Sequence, residues 1–285
     1  MLLTGKTIIM SGGSRGIGEA IAVRAARDGA NIAILAKTDK PHPKLPGTIY
    51  TAAAAIEAAG GTALPLVGDI RDDLFVESAV AATAERFGGI DIVINNASAI
   101  DLTGIENTSM KKYDLMNEIN TRGSFMLAKT CIPHLKKSEN PHVLTLSPPI
   151  LLDPEWFKTH TAYTIAKYGM SLVTLGLSVE LAPYGIAANS LWPRTAIDTA
   201  AVRNVVGGDL ATHSRTPAIM ADAAYEILTK PSREHTGHFL IDDDVLEDAG
   251  VTDFSIYLNG GSEDDLALDM WVKPKGPHNQ ALSIH

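Results

Sequence analysis

Residues 11–18 read Ser11-Gly12-Gly13-Ser14-Arg15-Gly16-Ile17-Gly18. They follow an apolar run, 7–10, and open a stretch, 16–29, in which Ile17, Ala20, Ile21 and Ala25 share one helical face. A strand that turns through glycines straight into a helix gathers backbone N–H groups and the positive end of the helix at one point, which suits an anion. Glycine permits the tight turn and the close approach of a phosphate to the backbone. The spacing Gly12-x-x-x-Gly16-x-Gly18 differs from the common dinucleotide pattern, and a glycine turn alone also fits a plain tight connection. Its place after the first strand favours phosphate binding by Gly12, Ser14, Arg15, Gly16, Ile17 and Gly18.

Outward from this turn, apolar runs alternate with helix-period segments. Strands are expected at 6–11, 31–36, 63–67, 91–95, 142–146, 187–191 and 238–241. Helices are expected at 16–29, 51–59, 74–87, 110–135, 164–181 and 218–229. Strands that are apolar on both faces and alternate with helices build a parallel sheet covered on both sides. The fold class is therefore α/β: a single-domain, Rossmann-like, doubly wound parallel sheet with helices on both faces. The Pro-rich stretch 40–47 is a loop, since the alternation continues after it. Residues 1–245 are read as the dinucleotide-binding and catalytic domain. Residues 246–285 are read as an irregular extension that packs on the same domain or on a neighbouring subunit.

Composition narrows the setting. The chain has 285 residues, 45% hydrophobic and 20% charged, as in ordinary globular proteins. A net charge of −9 argues against a nucleic-acid binder, which needs a basic face. The single cysteine, Cys131, excludes an intrachain disulfide and fits a reducing, cytoplasmic compartment. The apolar stretch before Gly12 is too short for a signal-peptide core, and no run approaches the length of a membrane span. The last three residues, Ser283-Ile284-His285, do not form the peroxisomal address. The histidines show no metal-ligand spacing, so no metal is expected.

Cofactor choice is read at the end of the second strand. An acid there usually accepts from the ribose 2′-OH of NAD. Here Ala36 stands at that position and Lys37 follows it. Arg15 and Lys37, with no carboxylate between them, suit a 2′-phosphate and hence NADP(H). Two solvated surface charges are the plain alternative, and Asp39 lies nearby.

Tyr163 and Lys167 begin a helix four residues apart and so share a face. Bringing a phenol's pKa of about 10 down to about 7 takes about 4 kcal/mol, which a close cation in a partly dry site supplies. Tyr163 is then poised to exchange a proton with a substrate oxygen.

Taken together, the glycine turn, Asn95-Asn96-Ala97, Asn120 and Tyr163…Lys167 resemble the short-chain dehydrogenase/reductase family over residues 5–242. Ala36-Lys37-Thr38, the 41–50 stretch, Ser147-Pro148-Pro149 and 192–197 are similar to its hydroxysteroid dehydrogenase-like group, whose animal member carries an added sterol-carrier domain; the residues after 241 are too few to hold one. The resemblance implies that Asp69 and Ile70 meet the adenine and that Asn96 and Ala97 line the ribose side. It implies that Asn120 anchors a relay water, that Lys167 also bonds the nicotinamide ribose, and that Ile197 and Thr199, after Pro193, meet the carboxamide and phosphates. It further implies a homodimer or homotetramer paired through the fourth and fifth helices.

Two departures stand out. Pro193 is followed by Arg194 where relatives have glycine, and aligning the fifth strand puts Pro148 on the usual catalytic serine, one place after Ser147. Proline has no side-chain or backbone donor. Either Ser147 takes over through a shifted loop or it only ends the strand. The second case leaves room for a catalytically weak NADP-binding sensor or ligand carrier.

The 148–161 loop, with Ile150, Leu151, Leu152, Trp156 and Phe157, is expected to border the reacting carbon and to select an apolar, lipid-like alcohol or carbonyl; Trp156 and Phe157 at a subunit interface is the alternative. Residues 200–217 read as a mobile lid hinged at Gly207-Gly208, His160 as a cap or surface residue, and Asp242-Asp243-Asp244 as a solvated turn.

Overall fold

The structure is a computed structural model and describes residues 2–42, 46–206, 208–275 and 280–281. The strands are β1 (Thr7–Ser11), β2 (Asn31–Ala36), β3 (Thr62–Val67), β4 (Ile92–Asn95), β5 (His142–Thr145), β6 (Ala187–Trp192) and β7 (Phe239–Ile241). They form one parallel sheet in the order β3-β2-β1-β4-β5-β6-β7. This is the doubly wound α/β sheet that the alternation predicted.

The two faces follow from the period of two along each strand. Ile8 and Met10 of β1, Ile32 and Ile34 of β2 and Ile92 and Ile94 of β4 point to one side. They pack under α1 (Gly16–Ala26), α2 (Ile49–Ala58) and α8 (Ala218–Thr229). Ile9, Ala33, Val93 and Val143 point to the other side, under α3 (Asp73–Phe87) and α5 (Gly123–Leu135). Each fully buried aliphatic side chain contributes about 1.5–3 kcal/mol, so both sides of the sheet hold their helices without charged partners. Local signals set the helix ends. Asp72 accepts from the N–H groups of Leu74 and Phe75 to start α3, and Gly88, at φ +85°, ends it.

Two elements differ from the expectation, and the stretch read as a lid takes a defined form. The helix expected over 110–135 is broken: α4 (Met110–Met116) passes through a wide π turn, Asn117–Arg122, before α5. The turn lets Thr121 Oγ1 donate to the Ala166 carbonyl of α6 (Thr161–Glu180) at 3.0 Å. A Cβ on Gly169 would lie 2.2 Å from that hydroxyl, so glycine permits the crossing. Residues 200–217 hold α7 (Ala200–Val206) and a 3-10 turn, Gly208–His213; Gly207, the expected hinge, lies outside the described residues. The acidic run 242–244 is no solvated turn. It opens α9 (Asp242–Asp248), and Asp242 and Asp243 are buried.

Candidate active site

Strand order reverses between β1 and β4, and the crevice beyond their carboxyl ends is where such sheets bind ligands. A cleft of about 440 Å³ opens there. Gly12 (φ +74°) and Gly16 (φ +58°) occupy the left-handed region that favours glycine. Ser11 Oγ accepts from the N–H groups of Asn96 and Ala97, and Asn96 Nδ2 donates to the Gly12 carbonyl at 2.8 Å. These bonds tie the glycine turn to the loop after β4. Gly12, Ser14, Arg15, Gly16 and Ile17 line the cleft; Gly18 does not. A Cβ on Gly18 would lie 2.5 Å from Asn96 Nδ2, so Gly18 serves by letting Asn96 close on the turn.

At the end of β2, Lys37 lines the cleft with Asp69 and Ile70. Sequence reading took Lys37 as a phosphate cation. Here its Nζ is 3.3 Å from Asp69, and Arg71 holds the same carboxylate at 2.7 Å. Arg71 and Lys37 draw the Asp69 pKa down to about 2, so it stays ionised. Arg15 donates to the Gly47 carbonyl at 3.1 Å, and its buried Nε has no partner among the described residues. Asn96, Ala97, Pro193, Ile197 and Thr199 line the remaining wall, together with Tyr163 and Lys167. A row of backbone and side-chain donors, an orphaned guanidinium nitrogen and a buried ammonium fit a dinucleotide.

Tyr163 and Lys167 project from α6 and are 5% and 2% exposed. The Lys167 ammonium donates to the Leu146 carbonyl at 2.5 Å, and burial draws its pKa down to about 7. Burial pushes the Tyr163 phenol well above its ordinary value, the charge of Asp269 adds to this, and a hydrogen bond from Ser98 opposes both. This corrects the sequence expectation. Desolvation of the phenol dominates, so Tyr163 is not held as a phenolate at rest. Tyr163 keeps its proton near neutral pH.

Asn120 sits in the π turn, fully buried, with both ends of its amide bonded to Ala99: Oδ1 accepts from the Ala99 N–H at 2.7 Å and Nδ2 donates to its carbonyl at 3.0 Å. It pins the loop that carries Ser98. Ser147 is fully buried, its Oγ has no partner among the described residues, and it does not line the cleft.

The segment after α9 supplies residues that sequence reasoning missed. Thr195 and Leu268 form an antiparallel bridge, Ala196 N–H donates to the Ala267 carbonyl, and Asp269 N–H donates to the Arg194 carbonyl. This places Asp269 and Met270 in the cleft wall and Trp271 against Tyr163. Burial pushes the Asp269 carboxyl up to about 7. Arg194, which follows Pro193 where the wider family pattern described above has glycine, is the fastener. Its Nε donates to Asp243 at 2.6 Å, one terminal nitrogen to Asp244 at 2.6 Å, and the other to the Lys273 carbonyl at 2.9 Å. The replaced glycine was the available signal, and the acidic run its counterpart.

The 148–161 loop does not border the cleft. Ile150, Trp156 and Phe157 pack on the cluster that holds Tyr163, Tyr168 and Trp271, with the Phe157 and Tyr168 rings edge to face, and Leu152 points outward at 78% exposure. His160 takes the N-cap position of α6 without a side-chain cap bond, and is buried with its ring edge-on to Trp271. The apolar wall near Tyr163 is Ile100, Trp192 and Met270.

Residues 6–208 match the short chain dehydrogenase family. The chain belongs to that family. It is an oxidoreductase of the short-chain dehydrogenase/reductase type, and its expected partners are a nicotinamide cofactor and a small-molecule substrate. It is 58% identical over 255 residues to hydroxysteroid dehydrogenase-like protein 2 of Danio rerio, covering 90% of this chain and 61% of that relative. The chain thus spans well under two thirds of that protein's length. A short chain dehydrogenase from Mycobacterium thermoresistibile is 57% identical and superposes with a TM-score of 0.91, over 96% of this chain and 98% of that one. A crystal structure from Xanthomonas campestris is 54% identical, with a TM-score of 0.92 over 96% of this chain and 100% of that one. Among the described residues no helix is long and apolar enough to cross a membrane.

Proposed function

We propose that this oxidoreductase uses NADP(H) and moves a hydride between it and an apolar alcohol/carbonyl pair. The observation that supports this reading best is that the glycine turn, Tyr163 and Lys167 line one cleft. The turn from Gly12 to Ile17 would hold the pyrophosphate, Asp69 and Ile70 the adenine, and Asn96 and Ala97 the ribose. Lys167 would bond the nicotinamide ribose, and Pro193, Ile197 and Thr199 would flank the carboxamide. Bound there, the nicotinamide supplies the hydride in reduction and takes it in oxidation.

The protein's own residues move the proton. In reduction the carbonyl carbon gains the hydride, the C=O π pair moves to oxygen, and Tyr163 gives its phenolic proton to that oxygen. The phenolate left behind is steadied by the Lys167 ammonium. Asn120 holds the loop opposite. Trp192 and Trp271 keep water from the phenol.

Preference for NADP(H) rests on Ala36 in place of an acid and on Arg15 and Lys37 at the cleft. Lys37 can turn to a phosphate without leaving Asp69 unpaired, because Arg71 also holds that carboxylate. A homodimer or homotetramer is supported by Phe125, Leu172 and Val179, all more than half exposed on α5 and α6. The lone buried thiol of Cys131 suits a reducing cytoplasm.

One observation favours a second reading, an NADP-binding sensor with weak catalysis: Ser147 is closed off from the cleft. The test is NADPH oxidation with decanal and 2-decanone, alongside NADPH binding by fluorescence. The first reading expects turnover that Tyr163→Phe abolishes while NADPH binding stays. An active Phe variant removes Tyr163 from the mechanism, and a wild type that binds NADPH but reduces neither carbonyl leaves the sensor.

A further inference from the structure

Reduction of a carbonyl places negative charge on its oxygen, and a single donor there is a weak provision. Losing one donor at such a site costs about 10²–10³ in rate. Tyr163 is one donor. The residue expected to be the other is missing: Pro148 has neither O–H nor N–H, and the Ser147 hydroxyl is fully buried away from the cleft.

Ser98 has what Ser147 lacks. It lies on the loop after β4, lines the same cleft as Tyr163 and Lys167, and is open to it. Ser98 acts on the Tyr163 phenol as a hydrogen-bonding neighbour that holds its pKa down against burial, so the two side chains share one part of the cleft. Among the described residues the one hydrogen bond from Ser98 Oγ is a long one, 3.5 Å, to the Ala99 carbonyl. The hydroxyl can therefore turn to a substrate at little cost. Its backbone is not loose. Asn120 clamps Ala99 at both its N–H and its carbonyl, and Ser11 fixes Ala97 on the other side. Ile100, next along the loop, and Trp192 supply apolar wall around this point.

We propose that Ser98 is a catalytic residue, the second hydrogen-bond donor to the reacting oxygen, standing in for the serine that Pro148 replaces. This rests on the oxidoreductase reading above. In reduction Ser98 Oγ–H donates to the carbonyl oxygen and keeps its own proton. The hydride goes to carbon, and the proton on the product oxygen comes from Tyr163.

The experiment compares Ser98→Ala, Ser98→Thr and Ser147→Ala in the full chain. It measures kcat and KM for decanal with NADPH, NADPH affinity by fluorescence, and thermal stability. Ser98→Ala is expected to lose about 10²–10³ in kcat, with NADPH affinity and melting temperature near those of the wild type, since the hydroxyl faces the open cleft. Ser98→Thr, which keeps the donor, is expected to recover most of that loss, and Ser147→Ala to lose far less than Ser98→Ala. Wild-type rates in Ser98→Ala, or the larger loss in Ser147→Ala, would overturn the assignment. So would a loss that appears as weaker NADPH binding, which makes Ser98 a cofactor contact. A wild type inert towards decanal retires the proposed apolar-carbonyl reading and Ser98's role with it.

Discussion

Trp271 lays its indole against the phenol ring of Tyr163, with ring centroids 5.6 Å apart, from a backbone held at φ +60°. An aromatic residue in the left-handed region costs about 1–3 kcal/mol, so the surroundings must repay it. They do so by burying the indole fully among Tyr163, Tyr168, Trp192 and His160. Trp271→Ala is expected to destabilise the fold by about 3–5 kcal/mol, read by urea unfolding, and to lower kcat more than it weakens NADPH binding, because Tyr163 loses its wall and gains water. An unchanged urea midpoint would mean that the C-terminal segment does not rest on this contact in solution.

Arg194 carries the second anchor of that segment. It is 7% exposed and forks to Asp243, itself 5% exposed, and to the better solvated Asp244. Removing one side of a buried pair leaves an uncompensated charge, at a cost of about 3–5 kcal/mol. Arg194→Gly is therefore expected to destabilise by up to that amount, with Lys275 Nζ, 3.8 Å from Asp243, still compensating part of the charge. Arg194→Lys should recover only part, since an ammonium cannot match the guanidinium fork towards two carboxylates and the Lys273 carbonyl. Asp243→Asn placed on Arg194→Gly should return some stability by removing the stranded charge. A double variant no better than Arg194→Gly would rule out that account.

Cofactor preference turns on Arg15 and Lys37. Charge-assisted hydrogen bonds to a phosphate contribute about 1.5–3 kcal/mol each. NADPH is expected to bind at least about tenfold more tightly than NADH, and Arg15→Ala with Lys37→Ala to bring the two to within about threefold. Arg71→Ala alone should also narrow the preference, because Lys37 would then be the one cation left on Asp69 among the described residues. The check is a fluorescence titration at one fixed salt concentration. A double variant that keeps its preference would place the phosphate site elsewhere.

What could be read from residues in order was mostly local. Ile8 and Ile9 reach opposite faces because a strand has a period of two, so the sheet and its two helix layers follow from pattern. The glycine turn and the Tyr163/Lys167 pair are short-range motifs, and they meet in one cleft. The misreadings share one cause: nearness in the chain stood in for nearness in space. The 148–161 loop adjoins Tyr163 in sequence but packs behind the cleft, on the cluster that holds Tyr163 and Tyr168, and does not line it. Asp269 and Trp271 lie far from Tyr163 in sequence and reach it through pairing with 194–196. The run 242–244 looked solvated because charged residues are seldom buried without partners, and its partner, Arg194, sits at the end of another strand.

Stability should depend on pH through His142. Its Nε2 lies 3.1 Å from the Lys230 carbonyl, and its buried Nδ1 has no partner among the described residues. A second ring proton would add a donor with no acceptor, and burial draws the His142 pKa down to about 4. An unfolded histidine titrates near 6.5. Between these values the unfolded chain binds the extra proton and the folded chain does not, so this contribution is full above about pH 6.5 and is lost as pH falls to about 4. The span corresponds to about 3 kcal/mol. Asp242 and Asp269, both pushed up to about 7, act in the opposite sense: their folded forms keep protons that the unfolded chain gives up, so stability falls as pH rises through about 4 to 7. The wild-type profile mixes the two, and the difference from His142→Gln separates them. Urea unfolding of both proteins from pH 4 to 7.5 should show the variant gaining on the wild type by about 3 kcal/mol towards the acid end. A constant difference across that range would mean that His142 takes up its proton in the folded protein as readily as in the unfolded chain.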